Sequence, residues 1–329
     1  MGPAMDLIGD IGGTNARFAL VDNGVAGRPI PESVETLPSA AFSNLADAVV
    51  TYLDKLDTDS RPQSAAVAVA SPVVADQVRL TNQNWDFSIR ETRDHLGFRE
   101  LAVVNDFTAK SLATSVLEAG DSIWAGGGDP DDLGRGRTVA VLGPGTGLGV
   151  GGLIVSAGHM QPLMSEGGHV SFAPLDEEEV EIARLLGQRF GRVSYERILC
   201  GSGLANLYEA LAKINGEAAR NLAPAEIVSA ATMGDDVLAR RCLTRFCAIL
   251  GSFAGDLALT LGARGGIYIG GGIVPRFVDF LKTGPFRERL EDKGRFASYL
   301  KAIPARVITA QNPGLIGAAV ALRHHYSGA

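Results

Sequence analysis

Two glycine-rich turns carry the groups best suited to holding a phosphate. Residues 9–17 read GDIGGTNAR and residues 143–149 read GPGTGLG, each between apolar, strand-like runs. A plain hairpin needs only two turn residues, so these turns are over-equipped. The first offers the backbone N–H groups of Gly12, Gly13 and Thr14, two polar side chains, and the Asp10 carboxylate just ahead of them. The second, over residues 143–149, offers another set of amides. Successive amides in a tight turn make an anion-binding concavity. One such turn is commonplace, but two, one in each half of the chain, suit a polyphosphate gripped from both sides.

The acids come next. Asn105-Asp106 closes the apolar run LAVVNDF. A carboxylate at a strand end projects where α/β proteins place their ligands, a sound position for a general base. Asp is also a favoured helix N-cap, and FTAKSL follows, so spacing alone supports both roles. Glu166-Gly167-Gly168-His169 sets a carboxylate and an imidazole around two glycines, where both can face a small polar ligand or serve structure alone. No Cys or second His stands nearby, which disfavours a metal there. Glu196, in VSYERILCGSGL, is unremarkable by itself.

The elements that must position these residues alternate between strand and helix. Residues 6–9 and 16–21 read as strands, NLADAVVTYLDKL as a helix, AAVAVA as a buried strand, and SIRETRDHL as a helix with a capping-box start. The Gly/Asp/Pro-rich stretch 125–137 is a loop. After it the opening pattern repeats in TVAVLGPGTGLGVGGLIV, followed by an acidic-headed helix, a long apolar helix over 235–263, a strand running into Gly270, Gly271 and Gly272, the strand RVITA and a last helix. This alternation predicts α/β architecture, and the repeated strand–turn–strand unit predicts two domains with a cleft. Gly147, Gly149 and Gly152 satisfy GxGxxG, but a dinucleotide site needs a helix after it and here LIV continues a strand. The Walker pattern is absent.

Composition narrows the classes. The chain has 329 residues, 46% of them apolar, enough for a large core, and 20% charged residues that argue against bulk disorder. Net charge is −7 with no basic run, which disfavours nucleic acid. Asp6 and Asp10 interrupt any N-terminal leader, and no apolar run reaches the roughly 18 residues of a membrane span. A cytoplasmic protein is expected. The three cysteines, Cys200, Cys242 and Cys247, read as buried thiols.

Seven motifs in order, GDIGGTNARFAL, VVNDF, GPGTGLG, EGGH, SYERILCGSGL, YIGGGIVPRF and NPGLIGAA, make the chain similar to the bacterial glucokinases, over nearly its whole length. The resemblance implies the two-domain actin-like ATPase (ribonuclease-H-like) fold, with residues 1–117 plus 312–329 as the small domain and 118–311 as the large one. It implies ATP-dependent phosphorylation of glucose at O6, with a kinase of another hexose or amino sugar as the alternative. Gly9, Asp10, Ile11, Gly12, Gly13 and Thr14 would form the first phosphate turn. Gly145, Thr146 and Gly147 would form the second, and Gly270 to Gly272 would lie near the adenosine. Asn105, Asp106, Glu166, His169 and Glu196 would hold the sugar, with Asp106 as base and Asp10 serving Mg²⁺, directly or through water. A homodimer is the family expectation, and closure of the cleft on sugar is expected because water competes as nucleophile. The related repressor–open-reading-frame–kinase group carries a His/Cys zinc cluster. After EGGH this chain reads VSFAPLDEEE, so no structural zinc is expected. A DNA-binding repressor on this fold would need a helix-turn-helix, for which this sequence leaves no room. An actin-like assembly ATPase is disfavoured by the sugar-type polar cluster.

Overall fold

The computed structural model describes residues 5–22, 27–56, 61–80, 85–157, 159–234 and 236–326. The chain forms two compact units, one of Met1–Leu117, Pro162–Met164 and Ala310–Ala329, the other of Glu118–Gln161 and Ser165–Thr309.

The first unit contains β1 (Met5–Ile11), β2 (Asn15–Asp22), β3 (Glu35–Pro38), α1 (Leu45–Leu53), β4 (Ser64–Val69), β5 (Gln77–Arg79), β6 (Asp86–Ser88), α2 (Ile89–Leu96), β7 (Glu100–Asn105) and α3 (Asp106–Ala113). Its main sheet has the order β3-β2-β1-β4-β7, antiparallel through β1–β3 and parallel through β1, β4 and β7. Period-2 alternation sends Leu7, Phe18, Val67 and Val103 to one face, where Leu45, Val49 and Tyr52 of α1 cover them. Ile8, Ala19, Ala66 and Ala102 face the opposite way, toward Leu315, Ala318 and Leu322. The start of α2 follows the sequence: Ser88 Oγ accepts from Glu91 N at 3.1 Å.

The second unit contains β8 (Ser122–Trp124), β9 (Val139–Pro144), β10 (Leu148–Ser156), β11 (His159–Ser165, of which Pro162–Met164 group with the first unit), α4 (Glu177–Phe190), α5 (Gly201–Ile214), α6 (Pro224–Met233), α7 (Val237–Leu261), β12 (Gly266–Ile269), α8 (Val278–Thr283), α9 (Phe286–Glu291), α10 (Ala297–Lys301) and β13 (Ala305–Ile308). The last helix, α11 (Pro313–Arg323), belongs to the first unit. The sheet order is β11-β10-β9-β12-β13-β8. Its β9/β10 hairpin is antiparallel and its β9, β12 and β13 are parallel, as β1/β2 and β1, β4 and β7 are in the first unit. The chain therefore repeats one topology. By length and composition alone α7 could cross a membrane. Its Phe246, Ile249, Leu250 and Phe253 instead lie buried in the core of this unit.

Candidate active site

In the first unit, β1 delivers Asp10 and the glycine turn. Gly12 N–H donates to Asn15 O at 2.9 Å and closes the hairpin. That corrects one expectation: this amide makes the turn and is not held ready for a phosphate. Among the described residues, the N–H groups of Gly13 and Thr14 have no backbone partner, and both residues are exposed. Gly9 and Ile11 turn inward. A Cβ on Gly9 would press the Phe18 ring at 3.2 Å, and Ile11 is core. Their part in any nucleotide contact is confined to backbone.

Asp10 points to the other face, against the first turn of α11. A Cβ on Gly314 would stand 2.6 Å from its Cγ, so glycine is required there. Asn312, at φ 51°, begins α11 without a side-chain cap, and the Asp10 carboxylate lies at this positive helix end. Arg17 Nη1 approaches Asp10 Oδ2 at 3.9 Å. Burial pushes the Asp10 carboxyl above its usual range. Lys110 opposes that shift, Asp106 adds to it, and Arg17 opposes it.

At the end of β7, two candidates divide their work. Asn105, not Asp106, caps α3: its Oδ1 accepts from Phe107 N at 2.9 Å and Thr108 N at 3.3 Å. Its Nδ2 donates to Ser71 O at 3.3 Å, which leaves one amide hydrogen for a ligand. Asp106 is the first helical residue, its side chain 20% exposed and paired with Lys110 Nζ at 2.7 Å. The open choice in the sequence between cap and base thus resolves to the extent that capping falls to the neighbour.

In the second unit, the β9/β10 turn repeats the arrangement of the first. Gly145 N–H donates to Gly147 O at 2.8 Å, while Thr146 and Gly147 N–H have no backbone partner among the described residues. Gly145, expected as a donor, is likewise the turn-closing residue. Glu196 Oε2 accepts from Leu148 N at 2.9 Å, and a Cβ on Gly147 would stand 2.6 Å from that oxygen. Glu196 is aimed by its neighbour Tyr195, which is buried, stacked on Phe253 at 4.3 Å and edge-on to Phe172 at 5.5 Å.

The EGGH segment packs against β10 because a Cβ on Gly168 would strike the Leu148 carbonyl. His169 then stands between two carboxylates, Nδ1 3.7 Å from Glu196 Oε1 and Nε2 3.9 Å from Glu166 Oε2. These gaps exceed hydrogen-bond length. Glu166 and His169 are both more than half exposed, so their polar atoms stay open to a ligand. Arg192 Nη1 donates to His169 O at 2.7 Å and braces this segment. After β12, Gly270 N–H donates to Leu142 O at 2.8 Å, and Gly271, at φ 83°, has a Cβ position filled by the Pro144 carbonyl. A Cβ on Gly272 would meet nothing within 4 Å.

Sequence reasoning missed Lys110, Gly314 and Arg192. Lys110 was legible as the fourth residue beyond Asp106 on a helix. The other two gave no local signal, since they act on residues distant in the chain.

Two units of one topology, each with an amide-bearing turn, and a cluster of carboxylates define a sugar kinase of the actin-like ATPase fold. The family model described as Glucokinase matches residues 7–325. A glucokinase of Marinobacter nauticus is 48% identical over 316 residues, covering 96% of each chain. The crystal structure of a glucokinase from an Antarctic psychrotroph has TM-score 0.87 and 38% identity, covering 98% of this chain and 99% of that one. A Streptomyces griseus glucokinase in complex with glucose and AMPPNP has TM-score 0.65 and 18% identity, covering 98% and 100%. The chain belongs to the glucokinase family, the ATP-dependent hexose kinases that phosphorylate glucose.

Proposed function

We propose that this chain transfers the γ-phosphoryl group of ATP to O6 of glucose, with Asp106 as general base. The single observation that carries this role is the geometry of Asp106. It lies at a strand end, is freed from capping by Asn105, and has one carboxylate oxygen that no described residue occupies. The O6–H proton passes to that carboxylate as O6 attacks phosphorus. The remaining amide hydrogen of Asn105 and the acceptors of Glu166, His169 and Glu196 are assigned to the other hydroxyls. Carboxylates are strong acceptors for a neutral, hydroxyl-rich ligand.

The free N–H pairs of Gly13–Thr14 and Thr146–Gly147 are assigned to phosphate oxygens, where positioning and charge stabilisation do most of the work. Bound glucose and a nucleotide analogue in the Streptomyces griseus relative support the substrate pair. Among the described residues no cluster of three or more His, Cys, Asp or Glu could hold a metal alone. A Mg²⁺ ion, which keeps most ligands from phosphate and water, needs little more than one buried carboxylate. Asp10 fits, directly or through water, because it stands at the end of β1 just ahead of the first glycine turn and a bound cation would offset the burial of its charge. When bound, Mg²⁺ would neutralise the β- and γ-phosphate oxygens.

A coupled assay across glucose, mannose, fructose and glucosamine tests the substrate, with glucose expected to give the highest kcat/KM. Asp106→Asn is expected to lose about 10²-fold or more in kcat while glucose binding by calorimetry survives. Near-normal turnover would refute the base, and complete loss of binding would make Asp106 a sugar ligand instead.

A further inference from the structure

We propose that Lys110 is a positioning residue for this reaction. It pins one oxygen of Asp106 and so presents the other to the sugar hydroxyl. The inference rests on Asp106 being the base. Lys110 Nζ lies 2.7 Å from Asp106 Oδ2, with the two side chains 16% and 20% exposed. The same ammonium lies 4.0 Å from the centre of the buried Phe107 ring. The carboxylate and the ring face under the ammonium limit where it can sit. Among the described residues no hydrogen bond reaches Asp106 Oδ1.

An exposed pair at this helical spacing would be worth little and would come and go. This one is sheltered, so it persists. The χ2 torsion of an unrestrained aspartate is broad, and a carboxylate free to swing offers either oxygen at many angles. Tied at Oδ2, Asp106 has a single oxygen and a narrow range of directions for proton transfer. Lys110 is also the cation whose charge Asp10 feels most strongly, so one ammonium balances two carboxylates of the unit.

The test compares Lys110→Met, Lys110→Arg, Asp106→Asn and the Lys110→Met/Asp106→Asn double variant. Turnover is measured by coupled assay, glucose affinity by calorimetry and folding by thermal melting. Lys110→Met is expected to lower kcat about 10- to 100-fold, the loss that a misplacement near 1 Å produces, with glucose affinity within about threefold. Lys110→Arg is expected to recover most of the loss, because it restores a cationic donor. The double variant is expected to be no slower than Asp106→Asn alone, since groups acting as a unit are not additive. If Lys110→Met does not fold, Lys110→Ala, which removes both donor and charge, is judged by the same criteria.

Wild-type kcat in Lys110→Met beside an inactive Asp106→Asn would overturn the positioning role and leave the base intact. Equal losses in kcat and glucose binding would make Lys110 a sugar ligand and overturn it too. A full additional loss in the double variant would show that Lys110 acts elsewhere. Near-normal turnover in Asp106→Asn would instead refute the base reading, whatever Lys110 does.

Discussion

At the scale of single residues, the site is shaped as much by missing side chains as by present ones. Gly147 leaves room for the Glu196 carboxylate and Gly314 for that of Asp10, each at a Cβ separation of 2.6 Å or more that a larger residue would fill. Asp10 itself is held at a cost. Its folded pKa lies above the usual carboxylate value, so the stability associated with its protonated form is present below that value. That stability is lost as pH rises through the raised one. At pH well above the usual carboxylate value, burial of this group therefore weighs on the fold. Asp10→Asn is expected to raise the melting temperature at pH 7.5, to lose that advantage on acidification, and to lose kinase activity. A lower melting temperature at neutral pH would show that the Lys110 and Arg17 contacts outweigh the burial of the charge.

At the scale of elements, two hairpins do the positioning. In each, one glycine amide closes the turn and the next two have no backbone partner among the described residues. Behind the first hairpin, α11 lies against α3 so closely that a Cβ on Gly317 would fall on the Ala109 carbonyl oxygen. Alanine in a helix interior is ordinarily favoured over glycine by about 1 kcal/mol. Overpacking a tight contact costs about 1–3 kcal/mol. Packing should decide the sign here, because the obstacle is backbone on a neighbouring helix and cannot rotate away. Gly317→Ala is expected to lower the urea midpoint with an unchanged m-value. It should also lower kcat, because α3 carries Asp106 and α11 abuts Asp10. A midpoint at or above wild type would show that the two helices separate without strain.

At the scale of the whole molecule, the two units share one strand order, with an antiparallel hairpin leading into parallel strands. Water competes with the sugar hydroxyl for the phosphoryl group, so compaction of the molecule on sugar binding is expected. Small-angle scattering is expected to give a smaller radius of gyration with saturating glucose than without. An unchanged radius would remove closure from the mechanism. A homodimer, expected from the family resemblance, is tested by sedimentation across a concentration series.

Much of this was legible in the chain. Apolar period and glycine placement determined the strand–turn–strand units, the α/β class, the start of α2 at Ser88 and the continuation of β10 past the misleading GxGxxG. These are local properties, set by side-chain spacing and backbone freedom within a few residues. Only the tertiary structure decided how the candidates divide their labour. That Asn105 rather than Asp106 caps α3 depends on where one residue's backbone leaves the strand. That Gly12 and Gly145 close turns, leaving the next two amides without a backbone partner among the described residues, depends on hairpin register. That Lys110 tethers Asp106, Tyr195 aims Glu196, and Gly314 yields to Asp10 depends on side-chain direction and on packing between residues as far apart in sequence as 10 and 314. Residue type and spacing set what chemistry is available, and packing sets which atom of each residue is left free to perform it.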